Sequence, residues 1–109
     1  MPVQLINNAS TTVPAAISST DTTITVASGT GSRFPVLGAS DFFYSTLVDV
    51  NGNLEIVKVT ARTDDVMTVT RAQEGTLAIP FPANSRFENR ITAQTIRDIV
   101  DLVDDYLLL

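Results

Sequence analysis

Histidine and cysteine are both absent from the 109 residues, so any chemistry has to come from twelve carboxylates, one lysine, six arginines and the hydroxyls. The commonest general base and the commonest metal ligand are thereby removed. A carboxylate pair is the first arrangement to test, because glycoside hydrolysis needs two carboxyls held about 5 to 9 Å apart. Glu55, Glu74 and Glu88 supply the residue type, but no spacing in the sequence sets two of them at that separation. DVNGN, Asp49 to Asn53, has the start of an EF-hand loop, yet glycine falls at its fourth position instead of the sixth and Thr60 holds the twelfth, where a bidentate Glu belongs. A hairpin turn suits that stretch better. GTGSRF, Gly29 to Phe34, lacks both the third glycine of a dinucleotide fingerprint and the GK[ST] ending of a Walker loop. No GxSxG elbow occurs, and no imidazole is present to activate a hydroxyl. Lys58 lies in a strand-like run and reads as a solvated or snorkelling side chain. The expectation is a protein that is not an enzyme, with no cofactor, metal or catalytic residues.

The elements that would carry these residues are mostly strands. DFFYSTLVDV, the turn NGN and LEIVKVTAR predict a hairpin in which Asn51 and Gly52 tolerate positive φ angles, and TDD followed by VMTVTR adds a third strand to the meander. Phe42, Tyr44, Val48 and Val50 share one parity, Phe43 and Leu47 the other, and Val57 and Val59 oppose Ile56. Apolar side chains on both parities imply that both faces are covered, by barrel closure, by a helix or by a neighbouring subunit. TTITV, Thr22 to Val26, has the β-branched density of a further strand, with Ser19 to Asp21 as a turn before it, and Arg86 to Ile91 alternates as a last one. Glu74 and Gly75 mark another turn, and Pro80 and Pro82 exclude a central strand around them. From Met1 to Ser32 the only charged side chain is Asp21, while Ser and Thr fill twelve positions. That segment is either a polar arm or strands surrounded by other protein. The predicted organisation is a Ser/Thr-rich arm or strand over residues 1–21, a β-domain over 22–91, and a C-terminal helix over 92–109. The fold class is mainly β: a small antiparallel barrel or sandwich with one amphipathic helix.

After Ile91 the period changes. Thr92 is a suitable N-cap, and Ile96, Ile99, Val100, Val103, Tyr106 and Leu107 recur at helical spacing among Arg97, Asp98, Asp101, Asp104 and Asp105. The helix is expected from Thr92 or Ala93 to about Leu107. Asp104 and Asp105 stand near its C-terminal end, where the macrodipole favours cations, so packing of the apolar stripe has to hold it. Ile96, Ile99, Val103 and Tyr106 fit a and d positions of about two heptads, a pattern that leans toward trimers when both positions are isoleucine. The simpler alternative packs the stripe on the chain's own β-domain. Leu107, Leu108 and Leu109 point in different directions around a helix, so one domain cannot cover all three. The stripe with these leucines is therefore the expected interface for oligomerisation or for a partner.

Formal charge is -5. This argues against nucleic acid, whose affinity comes largely from Lys and Arg on phosphates. No run approaches the ~20 apolar residues of a membrane span, and the opening MPVQLINNAS lacks the basic start and apolar core of a secretory signal, so synthesis in the cytoplasm is expected.

TTITVASGTGSRFP, FFYSTLVDVNGNLEIVKVTAR, MTVTRAQEGTLA and ANSRFENRITAQTI together resemble, in order and spacing, a module recurring in virion proteins of tailed bacteriophages, often at the N-terminal end of tail fibres. The match runs from about Thr22 to Ile96, and RAQEGT, with Arg71, Gln73, Glu74, Gly75 and Thr76, is its most diagnostic stretch. The resemblance implies an attachment domain that ties a fibre to the particle. Against that pattern, the sequence is expected to provide one helix and neither a shaft nor a receptor-binding tip. The expected function is a noncatalytic structural component of a tailed phage: an adaptor at the tail, neck or baseplate that attaches a fibre, or a short fibre itself. Its expected location is the virion. Its expected partners are other copies, with a trimer favoured, and other tail, neck or fibre proteins. Two alternatives are a module binding a host surface or glycan, through AIPFPANS and Phe81, and a capsid decoration protein.

Overall fold

The structure is a computed structural model, described for residues 3–6 and 9–107. The strands are β1 (Ser10–Val13), β2 (Thr23–Thr25), β3 (Phe43–Val48), β4 (Leu54–Thr63), β5 (Val66–Gln73) and β6 (Ser85–Glu88), followed by the helix α1 (Ala93–Leu107). They form one antiparallel sheet in the order β1-β6-β3-β4-β5-β2. The sheet curls into a half-barrel, which decides against a sandwich. Just beyond β2, the Ala27 N–H donates to the Thr12 carbonyl of β1 at 2.9 Å, so the two outer strands meet at one end. β1 lies within the Ser/Thr-rich stretch and pairs with β6, and Val13 and Ile17 enter the core.

Period-2 alternation fills the barrel. Ile24, Phe43, Leu47, Val57, Val59, Met67 and Phe87 point inward and are completely buried. Phe34, from the loop after β2, stacks on Phe43 with ring centroids 5.8 Å apart and tilts against Phe87 at 5.4 Å, plugging one side. β5 alternates buried and exposed positions over most of its length and the outward Ile56 and Lys58 of β4 are half-buried, so both parities are covered chiefly on β3, where Tyr44 and Thr46 are buried as well. Val50, placed on the same parity as Tyr44, is at the hairpin tip and 94% exposed. The last strand ends at Glu88 instead of Ile91, because residues 89–92 turn to start the helix.

Turn chemistry follows the residue types. At NGN, Gly52 takes φ +83°, while the Asp49 carboxylate accepts the Asn51 and Asn53 N–H groups and the Asn53 amide, each at 2.9 Å. The glycine pair of GTG has an unexpected occupant. Asp65, in the β4–β5 turn, places its two oxygens on the Gly29 and Gly31 N–H groups at 3.0 and 2.8 Å, and those donors hold its carboxyl below the usual carboxylate range. The donors that a phosphate loop would turn on a ligand here close the protein on itself. Gly31 has no alternative: a Cβ there would fall 1.9 Å from the Asp64 carbonyl oxygen.

Candidate functional site

The corner where β5 leaves the sheet is built by Arg71 to Thr76. A bulge between the Ile56–Gln73 and Lys58–Thr70 pairs sets an extra residue into β5, with Ala72 at φ +58°. The bulge frees the Ala72 N–H from the ladder and lets it donate to Glu55 Oε2 at 3.0 Å. Glu55 shares the inward parity of Val57 and Val59 and is completely buried; Arg71 shares that of Met67 and Val69. Arg71 Nε and Nη2 meet the two Glu55 oxygens at 2.7 and 2.9 Å, and the Ile79 N–H donates to Oε1 at 3.0 Å. The remaining Arg71 donors reach the carbonyls of Ser18, Asp21 and Ile79 at 2.7 to 2.8 Å. All five guanidinium N–H groups and both carboxylate oxygens are thus used. Burial by itself raises the Glu55 pKa, but the Arg71 bonds and the Ala72 and Ile79 N–H groups outweigh it and hold the carboxyl below its ordinary range. Gln73 donates its side-chain amide to the Arg71 carbonyl, and Thr76 Oγ1 bonds the Gln73 carbonyl at 2.7 Å and accepts the Ile56 N–H. Glu74 and Gly75 take φ +55° and +79° at the centre of the turn between Gln73 and Thr76.

Glu74 joins this corner to the helix. Its Oε1 accepts the Gln94 N–H at 2.9 Å, so a carboxylate meets one of the unpaired donors of the first turn, where the macrodipole favours negative charge. Thr92 is the N-cap expected from its residue type: its hydroxyl accepts the Thr95 N–H at 3.1 Å, and both threonines are buried. One turn on, Asp98 accepts the Tyr44 hydroxyl at 3.2 Å and the Gln94 amide at 2.9 Å. Burial, the Asp98 charge and that hydrogen bond push the Tyr44 phenol up to about 12. Lys58 stands 4.3 Å from the centroid of the Phe42 ring beside Tyr44, a cation–π contact in place of a purely solvated head.

The helix is held at its root, and its apolar stripe faces away. Ile96, Val100 and Val103 fall within about 60° of the helix circumference and are 54%, 48% and 48% exposed. Leu102 is also exposed, and Ile99 is half-buried. Packing of the stripe on its own sheet is therefore not what the described residues do. The backbone of Tyr106 and Leu107 is helical, but their side chains and residues Leu108 and Leu109 lie outside the described residues.

The other sequence-derived candidates are dispersed. Glu55, Glu74 and Glu88 each serve a separate contact, with Arg71, with Gln94, and with Arg86 and Arg90. Phe81, the proposed sugar platform of AIPFPANS, is 1% exposed and paired with Ile17 in an isolated bridge, so it belongs to the core and offers no face to a ligand. Sequence reasoning missed the Glu55–Arg71 pair. The signal was there: one acid and one base at inward parity in otherwise apolar strands have to find each other. No protein-family model and no curated protein matches the chain.

Proposed function

We propose that this chain is a noncatalytic structural component of a tailed-phage particle, a small attachment or adaptor unit whose helix gathers copies about a shared axis, a trimer being favoured. The observation that carries the assembly role is the apolar stripe Ile96, Val100 and Val103, half exposed on a helix whose root is fixed by Thr92, Glu74 and Tyr44. A helix of fifteen residues is marginal in water unless an apolar face is buried, and the described residues leave that face about half exposed. Isoleucine and valine at these spacings favour a few parallel strands around a seam. The phage setting rests on the resemblance of the chain around Arg71 to Thr76. The β-domain, with Glu55 and Arg71 matched inside it, suits a rigid mount that presents the helix to its copies and its outer surface to neck, tail or baseplate proteins.

Light scattering on the full chain tests the assembly. The expected mass is three times the 11.7 kDa of one chain, and the triple variant Ile96→Ser/Val100→Ser/Val103→Ser is expected to fall to the single-chain mass with its β-sheet circular dichroism intact. A wild-type chain that is monomeric at tens of micromolar overturns it. Mass spectrometry of purified particles tests the setting: the chain is expected with the tail, neck or fibre fraction, and its absence from particles refutes the virion assignment.

A further inference from the structure

On the outer face of β6, opposite Phe87, the alternation places Arg86 and Glu88 side by side, and Arg90 continues the same parity. Glu88 is nearly buried. Its Oε1 receives Arg86 Nη2 and the Ser10 hydroxyl, the latter at 3.4 Å, and its Oε2 receives Arg90 Nε and Nη2, each at 2.6 Å. Burial opposes ionisation of Glu88, but the bond from Arg90 and the charges of Arg90 and Arg86 outweigh it and hold the carboxyl below its ordinary range. Two guanidiniums on one ionised carboxylate leave a surplus positive charge in a chain whose formal balance is -5.

The surplus extends to donors. Arg86 Nε and Nη1 and Arg90 Nη1 make no hydrogen bond among the described residues, and the two side chains are 63% and 47% exposed. Beside them is a cavity of about 310 Å³ lined by Ala9, Ser10, Arg86, Glu88, Asn89 and Arg90. Asn89 is fixed there by its N–H on the Ala9 carbonyl at 3.0 Å, yet its side-chain Nδ2 is buried with no partner. One arginine would have sufficed to neutralise Glu88. The second arginine leaves donors without an acceptor at the cavity, and the unmet Asn89 amide lies buried beside them. The planar guanidinium fork matches a carboxylate, and a single surplus charge suits a monoanion better than a phosphate dianion, which Glu88 would repel.

We propose that the Arg86–Asn89–Arg90 cavity receives a carboxylate, supplied in the assembled state by an aspartate of a neighbouring copy's helix. The choice of a neighbouring copy rests on the assembly reading above. The helix carries Asp98, Asp101, Asp104 and Asp105 against the single cation Arg97, and Asp98 is already engaged by Tyr44 and Gln94. Among the described residues Asp101 is exposed, and helices gathered along the stripe bring this carboxylate of each copy beside its neighbours, where a positive cluster offers it a partner.

Solution NMR of the full chain tests both halves, reading the Asn89 side-chain amide and the Arg86 and Arg90 Nε–H signals. In the monomeric triple-serine variant, sodium acetate is expected to shift these signals saturably, sodium chloride at equal ionic strength is not, and Arg86→Gln or Arg90→Gln is expected to weaken the response at least about tenfold. Absence of a saturable, acetate-specific shift overturns the proposal. In the wild-type assembly the same signals are expected at their acetate-saturated positions, and Asp101→Asn/Asp104→Asn/Asp105→Asn is expected to return them to the free positions. Signals already free in the assembled wild type overturn the neighbouring-copy source. A wild-type chain that stays monomeric yet answers acetate overturns the assembly reading and keeps the carboxylate site.

Discussion

Inside the sheet, Glu55 and Arg71 are charged, buried and matched donor for acceptor within one chain, whereas on α1 the apolar Ile96, Val100 and Val103 stand about half exposed among the described residues. The usual placement of charge and grease is reversed in both regions. A buried ion pair is weak support for stability in general, because desolvation offsets the attraction. Here it fixes geometry: one guanidinium holds the Ser18–Asp21 turn and the Ile79 segment against the bulge of β5. The helix is the converse, locally well capped and globally incomplete. The Glu55–Arg71 corner therefore satisfies itself, whereas the stripe on the helix leaves apolar surface in water.

The largest effect should come from breaking the self-sufficient half. Glu55→Ala leaves the Arg71 guanidinium and two backbone N–H groups buried without their acceptor, and about 3 to 5 kcal/mol of stability is expected to be lost in a urea titration. The sign with pH follows from the lowered Glu55 pKa. The unfolded chain takes up a proton near the ordinary glutamate value of about 4.3 while the folded chain still resists it, so stability falls as pH drops from there through the folded-state value. Glu55→Gln should flatten that acid limb. If Glu55→Ala unfolds at the wild-type urea midpoint, the contrast between the two regions fails at its stronger end.

A smaller effect should separate the helix from its mount. Thr92→Ala removes the acceptor for the Thr95 N–H, and about 1 kcal/mol of helix stability is expected to go with it. Amide exchange at Thr95 and Ile96 should quicken while Val57 and Val69 stay protected. Equal loss of protection in the strands would mean that helix and sheet form one cooperative unit.

The helix was legible because everything that defines it is local: Thr92 as cap, apolar residues at a 3.6 period, and aspartates between them. The β3–β4–β5 meander was legible for the same reason, since each turn lies between the strands it joins. What the sequence concealed depends on distant partners. β1 finds β6 at a separation of 78 residues for Ser10 and Glu88, and Asp65 reaches back to Gly29 and Gly31. Phe81 sits between prolines in a loop that reads as surface, and only its pairing with Ile17 draws it inward. On the helix, the 3.6-residue period marked an apolar stripe, and the geometry leaves Ile96, Val100 and Val103 of it about half exposed.

The smallest effect concerns the hydrogen bond that couples the regions. Tyr44 donates to Asp98 only while protonated, and its pKa is pushed up to about 12 by burial and by the negative charge of Asp98 and Glu74. The unfolded phenol loses its proton near 10, so between about 10 and 12 the folded chain holds a proton that the unfolded chain has released, and stability falls as pH rises through that window. Phenolate absorbance should therefore show a late-titrating step that Tyr44→Phe removes, together with the alkaline loss of stability specific to the root. Tyr44→Phe should cost only about 0.5 to 1.5 kcal/mol at neutral pH, the net worth of one hydrogen bond. A Tyr44 that titrates near 10 would mean that the root of the helix is open to water, and that Thr92 and Glu74 alone hold the helix on its mount.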